Sequence, residues 1–124
     1  MRNYFAFIVL LLLAATASAQ DCSLMKKGKF KHFGEGVDTT AYFVIDGKTH
    51  TEYMRNGKYY IESSLKWSSD CSYELVLKKC TVPDFPFKRG TKMKVTVERV
   101  DGNKIYYTAE VNGEPIDGSV EKVD

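Results

Sequence analysis

The chain has 124 residues, 44% of them hydrophobic and 27% charged, with 18 basic against 16 acidic side chains and a formal net charge of +2. Acidic and basic residues alternate along the whole length, which excludes the one-signed field of a nucleic-acid binder. The densest basic group, Lys88, Arg89, Lys92 and Lys94, reads as a solvated loop and strand face.

Residues 1–19 have the form of a secretory signal peptide. Arg2 supplies positive charge, Phe5 to Ala15 are almost unbroken apolar, and Ala17-Ser18-Ala19 offers a small-x-small cleavage site. The apolar run is too short to span a bilayer as a helix, and the polar sequence after it carries no second one. Residues 20–124 are then expected to form a single domain. Its location would be periplasmic or extracellular, where disulfides persist. Cys22 stands third after the cleavage point with no lipobox before it, so a soluble protein is expected rather than a lipid-anchored one.

Past residue 20 no segment sustains a 3.6-residue period. Short runs rich in Tyr, Val, Ile, Thr and Phe are separated by turn residues, which is an all-β pattern. Eight strands are expected: Lys29–Phe33, Ala41–Asp46, Lys48–Met54, Lys58–Lys66, Ser72–Lys79, Lys92–Val100, Lys104–Val111 and Asp117–Lys122. Asp46-Gly47, Asn56-Gly57, Asp101-Gly102-Asn103 and Asn112-Gly113 supply residues that tolerate the positive φ of tight hairpins. Alternation is clearest in the second half, where Tyr59, Ile61, Leu65 and Trp67 share a face, continued by Tyr73, Leu75 and Leu77, by Met93, Val95 and Val97, and by Ile105, Tyr107, Ala109 and Val111. An apolar face, a polar face and short hairpins describe an antiparallel up-and-down meander. Eight sequential strands can close into a barrel and so remove exposed edges.

Two connections are long: Gly34–Thr40, and Cys80–Thr91 with Pro83, Phe85, Pro86 and Phe87. In a meander, odd-numbered connections lie at one end and even-numbered ones at the other. These are the first and fifth, so they share a loop-rich mouth opposite a tighter floor. Cys71 and Cys80 flank one strand rising about 3.3 Å per residue, too far apart for the 7 Å or so that a bridge allows. Cys22 and Cys71 both fall at the floor, which predicts a Cys22–Cys71 disulfide and leaves Cys80 unpaired.

Signatures of catalysis are missing. His32 and His50, the only histidines, have no partner at metal-ligand spacing, and there is no Cys-x-x-Cys or calcium-type acidic loop. No Gly-x-Ser-x-Gly elbow, P-loop or dinucleotide fingerprint is present. The expectation is a non-enzyme with no metal and no cofactor. The aromatic residues suit either a filled core or the lining of a cavity, since an eight-stranded barrel has room for one small ligand.

Gly28-Lys29-Phe30 resembles a variant of the Gly-x-Trp motif that opens lipocalins and related calycin barrels. The resemblance implies an aromatic residue at the barrel floor, covered by an arginine from a late strand. Arg99 is expected on the inward register near that floor, as a cation–π partner of Trp67. The order of signal, cysteine, Gly-x-aromatic strand and Trp67–Leu75 segment also resembles small secreted lipocalin-like bacterial proteins. The reading is a secreted barrel that holds a small apolar ligand at the end bearing loops 34–40 and 80–91. Its pocket candidates are His32, Tyr42, Tyr53, Tyr59, Ile61, Leu77, Phe85, Phe87 and Tyr107. The rival is a protein-binding module, such as a hydrolase inhibitor or envelope partner, with Pro83–Arg89 as contact and Phe85 and Phe87 as anchors.

Overall fold

A computed structural model describes residues 21–124, so the expected signal peptide lies wholly outside the described residues. A short 3₁₀ turn, Cys22–Met25, precedes eight strands. These are β1 (Gly28–His32), β2 (Tyr42–Asp46), β3 (Thr49–Met54), β4 (Tyr59–Ser69), β5 (Ser72–Cys80), β6 (Lys92–Asp101), β7 (Lys104–Val111) and β8 (Glu114–Lys122). Each pairs antiparallel with the next, and β8 pairs with β1 to close the barrel. The expected all-β, eight-stranded meander is what the chain forms.

Two strand limits differ from the sequence-based expectation by three residues, and the others agree to within one. β4 runs on to Ser69, because its partner residues on β5 continue to Ser72. β8 begins at Glu114 rather than Asp117, because Asn112 (φ 53°) and Gly113 (φ 81°) complete a two-residue hairpin turn. Pro115 is tolerated within β8 because β1 pairs only with Val120, Glu121 and Lys122. The first half of β8 is thus bonded on one side alone, the place where a residue lacking an N–H fits a sheet.

The floor is a packed plug. Met25, Phe30, Ile45, Ile105 and Val120 are fully buried there, and Tyr73 and Val95 nearly so. Cys22 and Cys71 form the expected disulfide, with Cα atoms 5.3 Å apart; Cys80 is unpaired and partly exposed. Lys122, on the last strand, donates from Nζ to the carbonyls of Leu24 (3.0 Å) and Lys27 (2.9 Å), tying the 3₁₀ turn under the barrel. The same ammonium lies 5.8 Å from the Phe30 ring centre.

Arg99 does not hold the place expected of it. A bulge between Val97 and Arg99 resets the alternation of β6. Arg99 is turned outward, with its guanidinium 4.2 Å from the Tyr106 ring. Trp67, half-buried and packed against Tyr73, is covered by Lys26 at 3.4 Å instead.

Candidate functional site

Strand alternation and closure settle which side chains enter the barrel. Phe43 and Ile45 of β2 are buried, and the tight turn after Asp46 pairs Ile45 with His50 and Phe43 with Glu52. Directly opposed residues share a face, so His50, Glu52 and Met54 point inward, although Glu52 is the most polar residue of β3. His50 pairs in turn with Ser63 and Glu52 with Ile61, which carries the same face onto β4.

On the β1–β2 side the interior is filled by aromatics. Phe43 stacks between Phe30 (5.1 Å) and His50 (4.5 Å), and the His32 ring meets its edge at 5.6 Å. On the β3–β8 side, towards the mouth, a cavity of about 200 Å³ is left open. Ile61, Leu75, Leu77, Met93 and Val111 form its apolar wall, and Met54 and Ile116 stand at its edge. Phe85 and Phe87 cover it, packed edge to face at 5.6 Å. For scale, an apolar cavity of about 150 Å³ takes up benzene in another protein.

The covering loop is pinned at both ends. Thr81 donates from its N–H to the Tyr60 carbonyl (3.0 Å), and the Tyr60 N–H donates to the Thr81 hydroxyl (2.9 Å). At the exit, the Gly90 N–H donates to the Leu77 carbonyl, while the Leu77 N–H donates to the Thr91 carbonyl. Gly90 adopts φ 92°, a left-handed conformation that glycine accepts without a Cβ penalty. On the far side of Phe85 and Phe87 an open groove runs past Lys78, Lys79, Cys80 and Arg89.

The polar groups of β3 and β4 enter the cavity from one side, and Thr91 joins the lining from the end of the covering loop. Glu52 Oε1 accepts from His32 Nε2 at 2.8 Å. His50 and Ser63 lie below, both buried. Burial pushes the His50 imidazolium down to about 4, so the ring is neutral at physiological pH. Burial also raises the Tyr73 and Tyr107 hydroxyls, so both stay protonated. Among the described residues, no group of three or more His, Cys, Asp or Glu is placed to hold a metal ion.

Of the nine pocket residues expected from sequence, Ile61, Leu77, Phe85 and Phe87 line the cavity. His32 stands behind Glu52 and supports it. Tyr107 points inward but lies flat over Gly118, where an added Cβ would fall 2.2 Å from its ring. Tyr59 is at the mouth, beside Arg55 and Lys58. Tyr42 and Tyr53 are on the outer face, stacked on each other at 5.0 Å with Lys29 over Tyr42. Loop 34–40 shares the mouth end but contributes nothing to the cavity lining. It is drawn instead to the β3–β4 hairpin: Asp38 accepts from the N–H groups of Thr40 (2.9 Å) and Arg55 (3.2 Å).

Beyond those nine candidates the cavity is lined by Glu52, His50, Ser63, Met54, Leu75, Thr91, Met93, Val111 and Ile116, of which Leu75, Met93 and Val111 were expected on the inward face but not in the pocket. The signal for Glu52 and His50 was available in the turn after Asp46, which fixes their strand partners.

Comparison with protein-family models, with curated proteins and with solved structures gives no match for this chain. No helix among the described residues is long and apolar enough to cross a membrane.

Proposed function

We propose that this barrel binds one compact, largely apolar molecule in the cavity beneath Phe85 and Phe87. The observation that carries the reading is a loop tied down at both ends whose two aromatic rings turn inward over an apolar space. Such a space, with a few polar groups on one wall, is the usual form of a small-molecule site. At about 200 Å³ it suits an occupant smaller than a typical drug. This role is the one implied by the resemblance of Gly28-Lys29-Phe30 to lipocalin-like secreted barrels. The rival protein-binding reading needs Phe85 and Phe87 as projecting anchors, whereas both rings are half-buried against the cavity.

Methionine methyl resonances provide the test. Met54 and Met93 line the cavity, while Met25 is sealed in the floor and serves as an internal control. Titrating the oxidised protein with toluene or indole should shift Met54 and Met93 and leave Met25 in place. Affinity should be about 0.1 mM, roughly −5 kcal/mol, for so small a ligand. Phe85→Ala and Phe87→Ala should weaken it, and Lys66→Ala on the outer face should not. Ligand-independent Met54 and Met93 signals would defeat the reading.

A further inference from the structure

The charge inside the cavity has one sign. Glu52 is the sole formally charged side chain among the lining residues, and no Lys or Arg reaches the space. Its Oε1 is engaged by His32 Nε2, whereas its Oε2 takes no hydrogen bond among the described residues. Below it, neutral His50 and Ser63 add polarity but no charge.

We infer that the occupant of this cavity is a small primary amine with an apolar body, its ammonium paired with Glu52 and its ring or chain lying against Leu75, Leu77, Met93 and Phe85. The inference rests on the ligand-binding reading above and names the ligand's chemical class. A carboxylic acid entering the same space would face Glu52 with no cation lining the cavity to offset the repulsion. A wholly apolar molecule would strip water from the carboxylate and return nothing, which is costly for a buried charge. An ammonium supplies both the charge and the donors that Oε2 lacks, in a charge-assisted hydrogen bond. The volume fits one aromatic ring with a short chain, a little more than the benzene that a cavity of about 150 Å³ accepts.

The experiment compares three ligands of nearly one shape: phenethylamine, phenethyl alcohol and phenylacetate, titrated calorimetrically into the oxidised protein. The amine should bind about tenfold or more tighter than the alcohol, a difference of about 1.4 kcal/mol per tenfold, and phenylacetate should bind weakest. Glu52→Gln should abolish the advantage of the amine over the alcohol, with Trp67 fluorescence confirming the fold. A second readout needs no variant: the His32 ring-proton resonances should move when the amine binds and stay when the alcohol does. An alcohol that binds as well as the amine, tighter binding of phenylacetate, or an unmoved His32 in the amine complex would each overturn the amine assignment while the cavity reading stands. If all three ligands and toluene leave Met54 and Met93 unshifted, both readings fall together.

Discussion

Replacing Cys22 and Cys71 together with serine tests whether the floor depends on its bridge. The two cysteines are 49 residues apart in sequence. Closing a loop of that size removes roughly 4 kcal/mol worth of disorder from the unfolded chain. A single domain of this length has a total stability on the order of 5–15 kcal/mol, so the loss is a large share of the whole. Two features of the native state add to it. Cys22 is only 3% exposed and packs with Met25 and Phe30, so a serine in its place would bury a hydroxyl among apolar neighbours. The bridge also holds the 3₁₀ turn under the barrel, where Lys122 tethers the same segment. Urea unfolding followed by Trp67 fluorescence should show a midpoint lowered by an amount equivalent to roughly 3–5 kcal/mol. The slope against urea should hold if the reduced unfolded chain is no more expanded, and rise if it is. Chemical reduction of the unmutated protein should approach the same midpoint. A change below about 1 kcal/mol would mean that the unfolded chain is not constrained by this loop, and the entropic account of the floor would be wrong.

Two further outcomes follow from the interior. His50 has its imidazolium pushed down from the usual 6.5 to about 4 by burial. The unfolded chain therefore binds a proton on His50 that the folded chain does not between about pH 6.5 and pH 4, and stability falls as pH drops through that window, by up to about 3 kcal/mol. His50→Leu should remove this part of the slope, so the difference in unfolding free energy between the two proteins should change by that amount across the window; parallel curves would refute it. Gly118→Ala should cost roughly 1–3 kcal/mol or more, because the new methyl group would meet the Tyr107 ring at 2.2 Å. Adding Tyr107→Leu should recover much of that loss in a double-mutant cycle, and strict additivity of the two melting shifts would show that the methyl group and the ring do not clash.

Strand existence and order were legible in the sequence because hairpin turns are local chemistry. Asp46-Gly47, Asn56-Gly57 and Asn112-Gly113 each announce a chain reversal on their own. Once the strands are counted, connection parity places Cys22 with Cys71 and separates both from Cys80. Facing on β2 and β3 was harder to read. Tyr42 and Tyr53 are more apolar than Glu52, and hydrophobicity alone turns the wrong face of β3 inward. The outer tyrosines are stabilised instead by stacking on each other and by Lys29.

What the sequence by itself determined is therefore the meander, its two ends, the floor disulfide and the aromatic loop over the mouth. Tertiary structure alone decided what fills the inside. A bulge in β6 turned Arg99 to the exterior, and a second irregularity, between Glu62 and Ser63, shifted the β4–β5 register near the mouth. Barrel closure then put Phe43 and His50 against one wall and left the space beside Glu52 open. The physical reason is that a turn is specified by the few residues within it, whereas a cavity is the volume left when eight strands have packed. Each strand's contribution depends on neighbours far away in the chain.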